Sequence, residues 1–472
     1  MFLEPSSPKS LTGQLYDQLR QAIAQGRLRP GDRLTPTRQL AAELGVSRHT
    51  VTTAYSRLVA EGHAEGRAGG GSVVAAVAVA QPPLARPADV LRPARRFAHL
   101  TPFMASAGVR FRFDLRPGQP DPRLFPAVAW RRQMAAALGA QYPEYGDPAG
   151  ARGLRRAIAG WIARSRSVRA SEETVVVTSG AQHAIDLVSR ILLEPGDTVA
   201  VEEPGYEPVG QLAATLGAHV CTVPVDGEGL MVDRLPPSAR IVYVTPSHQF
   251  PLGMAMSMPR RRALLHWAQL HDAAIIEDDY DTEFRYVDRP LEPLQALDDA
   301  GRVIYVGSFS KSFSPAVRLG FAVVPPSLVE PITSLRQLID WHPPIAMQTA
   351  LGTFIEDGLL DQHLRRGRRA YTERRQLLIE TLNGPLARYV TVGQAHAGLH
   401  VTTFLHPALN EDAVRLSASS QGIATMGLQH AYRASPARSG LLLGFGAIST
   451  PALPVALRAL ERIMAATWTG PE

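Results

Sequence analysis

The sequence predicts a multidomain chain in which a small, mainly helical head precedes a larger α/β body built on a mainly parallel sheet. Three observations predict it. At 472 residues the chain exceeds what one ordinary core supports. Three short helical patterns crowd into its N-terminal segment, and from Phe113 onward apolar strand-like runs alternate with helical stretches. Apolar residues make up 45% and charged residues 19%, a balance that folds and lies far from the composition of disordered chains.

In the head, Leu11, Leu15, Leu19 and Ile23 recur every fourth position and predict one face of a helix ending near Gly26. A second helix follows, with Thr35 as its cap, Pro36 in its first turn, Leu40, Ala41 and Leu44 facing inward, and Gly45 as the left-handed exit. Ser47 caps a third helix that runs through Val51, Ala54 and Leu58 to Gly62. Two helices joined at "LGVS" make a helix-turn-helix, and "HAEGRAGGGSVVA" predicts a small hairpin or wing after it. The start of the last helix enters the major groove in such a motif, so Ser47, Arg48, His49, Thr50 and Thr52 are the candidates for base edges of double-stranded DNA, with Arg38 for a phosphate. The plain alternative is a three-helix packing domain with solvated arginines. The whole series "LYDQLRQAIAQGRLRPGDRLTPTRQLAAELGVSRHTVTTAYSRLVAEGHAEGR" resembles the GntR-type winged-helix head, which implies a DNA-binding domain over residues 8–75. It departs from that pattern in the wing, where "GGGS" replaces the usual Gly-Ser-Gly-Thr.

Residues 76–112 lack periodicity, contain "QPPLARPADVLRPARR" and read as a semi-stiff, proline-rich linker. Residues 1–75 carry nine Lys/Arg and six Asp/Glu, and residues 76–112 carry six and one. Those stretches sum to +8 of a net +6, so a basic head sits on a near-neutral body, as a polyanion partner at one end requires. The single cysteine, Cys221, excludes an internal disulfide and a cysteine-based zinc site; no metal site is expected. The opening "MFLEPSSPKS" has no export pattern, and "SVVAAVAVA" is too short to span a membrane. A bacterial cytoplasmic protein, at the nucleoid when bound to its operator, is the expected localisation.

In the body, "TVVVTSG", "IVYVTPS", "AAIIEDDY" and "RVIYVGSFS" are the strand runs. The last leads into "SFSKSFSPAVRLG", where Lys311 lies between small hydroxyl residues and Arg318 follows seven positions later. A lysine anchors an aldehyde cofactor when the cofactor's phosphate, ring nitrogen, phenolic oxygen and ring face are also held. In "TVVVTSGAQHAIDLV" a strand runs into a helix through Ser179, Gly180, Ala181 and Gln182, whose backbone N–H groups suit an anion, and Ser308, Ser310 and Arg318 complete a phosphate cup. "AIIEDDYD" supplies Asp278 for a pyridinium nitrogen and Tyr280 for a phenolic oxygen; Tyr206, after a Pro-Gly turn, suits the ring face. Each motif by itself has a plainer reading as a solvated loop, a helix cap or a turn.

In order along the chain, "YGDPAG", "TSGAQ", "EEPGY", "TPSHQFPLG", "EDDYD" and "SFSKSFSPAVRLG" resemble fold-type I aminotransferases, across most of residues 113–465. Joined to the GntR-type head, the chain is similar to the MocR subfamily of bacterial transcriptional regulators. The resemblance implies an aminotransferase-like domain over residues 113–470 with a smaller C-terminal α+β subdomain at about 340–470. It implies pyridoxal 5′-phosphate bound as a Schiff base to Lys311, the catalytic lysine of such enzymes, with Asp278 at the pyridine nitrogen and Tyr206 stacked. It also implies a homodimer in which Tyr145 reaches the partner's phosphate. Two motifs depart. "SHQFPLG" lacks the asparagine that bonds the phenolic oxygen, leaving Ser247, His248 or Gln249 in its place, and "GLLLGFG" puts Leu442 where an arginine normally binds a substrate carboxylate, with Arg433 and Arg438 off the motif. The function expected is that of a regulator whose cofactor domain senses a vitamer or small amine, with vestigial transamination at most; the alternative is a working aminotransferase with an accessory head.

Overall fold

The computed structural model describes the chain except residues 1, 2, 5, 6, 8, 68–70, 77–91, 93, 99, 102–110, 141, 143, 287–291, 435, 436, 471 and 472. Its residues fall into two compact units, Met1–Ala94 and Arg95–Glu472. Most of the expected linker, and two glycines of the expected wing, lie outside the described residues. No helix among the described residues is long and apolar enough to cross a membrane.

In the first unit, α1 (Leu11–Ala24) opens at Ser10, whose hydroxyl accepts from the Gly13 N–H. Its expected face is inward: Leu15 and Leu19 are buried in one cluster with Val51, Ala54 and Leu58 of α3 (Arg48–Ala60). Between them, α2 (Thr37–Leu44) starts later than the sequence suggests. Pro36 is its N-cap, with no side-chain cap, and the Thr35 carbonyl instead accepts from the Tyr55 hydroxyl at 2.7 Å. Pro36 is itself extended, at ψ 138°, and its carbonyl accepts the first helical bond, from the Leu40 N–H, so the helix begins at Thr37. Gly45 exits at φ 62°, and Ser47 caps α3 by accepting from Thr50 N–H at 3.1 Å. Strands β1 (Ala64–Arg67) and β2 (Gly71–Val74) pair antiparallel as the expected hairpin.

In the second unit an eight-stranded sheet has the order Val175–Thr178, Gly320–Val323, Val303–Ser308, Ala274–Asp279, Ala239–Val244, Thr198–Glu203, His219–Asp226, Gly229–Leu230. The central pairs are parallel; Gly320–Val323 runs antiparallel to both neighbours. Successive strand residues alternate faces, and here both faces are covered. Ile241, Ile276 and Val306 pack with the helix Ala181–Leu192, whereas Val242, Ile275 and Val303 pack with the helix Met258–Leu270. That two-sided burial is why these strands read as continuous apolar runs. Toward the C-terminus, a four-stranded antiparallel sheet, Val390–Val392, His400–Leu405, Gly440–Gly444 and Met426–Gly427, accompanies the helices Leu359–Asn383, Glu411–Ser420 and Leu453–Ala466.

Candidate functional site

In the head, Arg38, Arg48, His49 and Thr52 are exposed. Ser47 and Thr50 are tied to each other, their hydroxyls 2.9 Å apart, and the Thr52 hydroxyl donates to the Arg48 carbonyl at 2.9 Å. The hydroxyls thus fix the start of α3, where the Arg48 and His49 side chains are exposed.

In the body, the parallel strands end on one side around a cavity of about 470 Å³, the position at which open α/β sheets hold ligands. Lys311, Asp278, Tyr280, Tyr206, Ser308, Ser310, Arg318, Ala181 and Gln182 all line it. Burial lowers the pKa of the Lys311 amine from its ordinary value, which favours the neutral, nucleophilic form. Gly118, at φ +67°, passes so close that a Cβ there would stand 3.0 Å from Lys311 Nζ.

At one end, the helix Ala181–Leu192 presents its N-terminus after Gly180, whose φ of 100° suits glycine. Arg318 adopts left-handed backbone, φ 52° and ψ 42°, and its Nη2 donates to the Ser179 carbonyl at 2.9 Å. The Ser179 N–H donates to His183 Nδ1 at 3.2 Å, and neither Ser179 nor Gly180 lines the cavity. The cup is therefore formed by Ala181 and Gln182 with Ser308, Ser310 and Arg318, while Ser179 supports it from behind.

On the sheet side, Asp278 accepts from the Tyr243 hydroxyl at 2.7 Å through Oδ2; its Oδ1 is buried without a hydrogen-bond partner among the described residues. Burial pushes this carboxyl up to about 7, against the pull of Tyr243. Burial likewise pushes the Tyr206 hydroxyl up to about 12 and holds Tyr280 protonated well above its usual range. His248 does not line the cavity. Its Nδ1 lies 2.8 Å from Oδ1 of Asp281 and 3.0 Å from the Tyr280 hydroxyl, so it stands behind Tyr280. Gln249 is committed to backbone, donating to the Pro204 and Phe250 carbonyls at 2.8 and 2.6 Å. Ser247 is buried and also off the cavity wall. Tyr145 is exposed and stacked on Trp341, away from the cavity.

Leu442 is fully buried in its strand; Arg433 pairs with Glu207 at 2.9 Å and Arg438 covers the Phe404 ring. None of the three lines the cavity, yet Arg116 and Arg415 do, and the sequence reading had singled out neither. It also missed Tyr243, for which a signal existed: Tyr243 pairs with Ile276, two residues before Asp278 on the same face. Among the described residues no cluster of His, Cys, Asp or Glu is placed to hold a metal ion.

Two family models match the chain: "Bacterial regulatory proteins, gntR family" over residues 11–74 and "Aminotransferase class I and II" over residues 114–438. The probable rhizopine catabolism regulatory protein MocR of Rhizobium meliloti is 35% identical over 464 residues, covering 95% of this chain and 92% of that one. The HTH-type pyridoxine biosynthesis transcriptional regulator PdxR of Corynebacterium glutamicum is 32% identical, over 94% of each chain. The crystal structure of an archaeal alanine:glyoxylate aminotransferase superposes with a TM-score of 0.71 at 27% identity, over 76% of this chain and 92% of that one. The cofactor of this fold is pyridoxal 5′-phosphate. The cavity fits it: a buried amine, an anion cup at one end and an unpartnered carboxylate oxygen for the ring nitrogen. With a GntR-type head and a class I and II aminotransferase body in one chain, the protein belongs to the MocR subfamily of GntR-type transcriptional regulators.

Proposed function

We propose that the chain is a cytoplasmic DNA-binding regulator that reads a vitamer or small amine through its cofactor and changes its affinity for an operator accordingly. One observation carries this reading: a single polypeptide similar to transcriptional regulators over nearly its whole length joins an exposed recognition helix to a cavity fitted for pyridoxal 5′-phosphate. Residues 8–75 act as the DNA-binding domain, 76–112 as the linker and 113–470 as the cofactor domain. Arg48 and His49 meet base edges and Arg38 a phosphate, with Ser47, Thr50 and Thr52 ordering the helix start.

When bound, the cofactor supplies a carbonyl that condenses with amines and a ring that withdraws electrons. Lys311 is its covalent anchor, and the depressed basicity of its amine keeps the nucleophile available. Asp278 would hold the ring nitrogen through its unpartnered Oδ1, and Tyr243 holds the carboxylate in place from the other side. Tyr280, backed by His248 and Asp281, would hold the phenolic oxygen, and Tyr206 would cover the ring face. Arg318, Ser308, Ser310 and the N–H groups of Ala181 and Gln182 would hold the phosphate. Tyr145 serves the partner's site in a homodimer. A ligand that favours one arrangement of the chain shifts its population and alters DNA affinity by the same coupling energy.

The test is binding of the full-length protein to DNA upstream of its own gene, with cofactor loaded and removed. A cofactor-dependent change in affinity, with no sustained turnover between common amino acids and keto acids, supports the reading. Robust multiple-turnover transamination with DNA binding indifferent to the cofactor overturns it in favour of an aminotransferase with an accessory head.

A further inference from the structure

Asp281, His248 and Tyr280 form a chain of polar side chains whose last member opens on the cavity. His248 and Asp281 are buried behind the wall, and of the three only Tyr280 lines it. His248 Nδ1 lies 2.8 Å from Asp281 Oδ1 and 3.0 Å from the Tyr280 hydroxyl. The packing around the pair is close: at Gly398, φ +80°, a Cβ would collide with both the His248 ring and the Asp281 carboxylate.

The partners settle where the hydrogens lie. As a carboxylate, Asp281 offers only acceptors; Oδ1 faces His248 and Oδ2 accepts from the Leu399 N–H at 3.2 Å. The other ring nitrogen of His248, Nε2, is buried with no hydrogen-bond partner among the described residues. A hydrogen on Nε2 would be a buried, unmet donor, and a bare Nδ1 would set its lone pair against that of Asp281. The imidazole therefore carries its hydrogen on Nδ1. An N–H does not accept, so the Tyr280 hydroxyl cannot donate to His248. Its oxygen shares the Nδ1 hydrogen, and its own hydrogen, which has no other partner among the described residues, is left for the cavity.

The surrounding groups agree with this arrangement. Burial, and then the carboxyls of Asp281, Asp278, Glu202 and Asp279, keep the Tyr280 hydroxyl protonated well above its usual range. The His400 ring, 5.2 Å from that of His248, gives Nε2 to the Pro251 carbonyl at 3.2 Å, and burial holds it down to about 4, so it brings no charge near pH 7. Lys311, depressed by burial, is pulled back toward its charged form by Asp281 and Asp278.

We propose that His248 is a positioning residue: held in its Nδ1–H form by Asp281, it makes the Tyr280 hydroxyl a one-way donor toward the cofactor's phenolic oxygen. It supplies through Tyr280 what the asparagine missing from "SHQFPLG" would supply directly. This rests on the reading of the cavity as a pyridoxal 5′-phosphate site and adds the direction of one proton. A fixed donor stabilises the ionised phenolic oxygen and weakens its hold on the proton shared with the Lys311 nitrogen, so the visible absorption band titrates at lower pH than it would beside a hydroxyl free to turn away.

The experiment titrates the visible band of the full-length, cofactor-loaded protein against pH. Tyr280→Phe sets the scale and is expected to raise the midpoint by about one unit or more. His248→Leu is expected to raise it too, with His248→Phe in its place if the leucine protein does not take up cofactor. His248→Asn, which keeps an N–H near the position of Nδ1, should stay close to wild type. The double variant Tyr280→Phe/His248→Leu should match Tyr280→Phe alone, because His248 acts through Tyr280. That pattern supports the inference. An unmoved His248→Leu midpoint, a shift shared by His248→Asn, a shift that adds to that of Tyr280→Phe, or a Tyr280→Phe protein with no shift overturns it and leaves the cofactor reading standing. Nitrogen-15 NMR of histidine-labelled wild type, assigned with His248→Asn, reads the ring directly: a neutral Nδ1–H form supports the inference, and a hydrogen on Nε2 overturns it. A wild type that takes up no cofactor overturns both.

Discussion

Replacing Asp278 by asparagine has two consequences of opposite sign. In the cofactor-free chain burial moves this carboxyl from 3.8 to about 7. The folded pKa lies above the unfolded one, so stability fully present below 3.8 is lost as pH rises through about 7. The gap corresponds to roughly 4 kcal/mol of cost for the ionised form above pH 7. Asparagine removes that charge but buries an unmet N–H₂ at about 1–3 kcal/mol, leaving a net gain of about 1–3 kcal/mol for the cofactor-free chain. With cofactor the balance reverses. The ring nitrogen loses a charge-assisted acceptor worth about 1.5–3 kcal/mol, which weakens cofactor binding roughly 10- to 150-fold. Thermal unfolding of the cofactor-free proteins between pH 4 and 8, and titration with pyridoxal 5′-phosphate followed by absorption, measure both effects. An Asp278→Asn protein with unchanged cofactor affinity refutes the assignment of Oδ1 to the ring nitrogen, and one less stable than wild type above pH 7 without cofactor refutes the burial cost of the ionised carboxylate.

Borohydride treatment of loaded wild type is expected to fix the cofactor to the peptide containing Lys311, as read by mass spectrometry; Lys311→Ala should yield no such adduct there. Gly118→Ala places a methyl 3.0 Å from Lys311 Nζ on backbone at φ +67°, and should cost about 1–3 kcal/mol in unfolding experiments and slow cofactor uptake. Unchanged melting and uptake would mean that this turn relaxes freely. Arg48→Ala should weaken operator binding by about 1–3 kcal/mol with relaxed base preference. Arg38→Ala should instead weaken all sequences alike and lower the salt dependence by about one ion, a contrast that fluorescence titration at several salt concentrations resolves.

The helix-turn-helix was legible because its signals are local. The four-residue spacing of Leu11, Leu15 and Leu19, the Ser47 cap and the left-handed Gly45 each depend on neighbours within a turn or two of the chain. The exact start of α2 was not, since Thr35 and Pro36 compete for the same cap and the outcome is fixed by a hydroxyl on α3, Tyr55. In the body, the residues at strand ends were legible for a related reason. A parallel sheet gathers the carboxyl ends of its strands on one side, so Asp278, Ser308 and Lys311 meet once the strands are recognised.

The sequence by itself determined the two-part architecture and singled out Lys311 and most of the residues that line the cavity, because the motifs keep their order along the chain even though each alone has a plainer reading. Tertiary structure alone decided which of Ser247, His248 and Gln249 stands by Tyr280, that the Ser179 N–H is spent on His183, and that Arg415 enters the cavity while Arg433 and Arg438 do not. Arg415 lies on a surface helix between Val414 and Leu416, with no local mark of function. Its place at the cavity follows from how the C-terminal sheet and helices pack beside the large sheet, a long-range arrangement that depends on buried apolar area summed over many residues and leaves no trace in the spacing around any one of them.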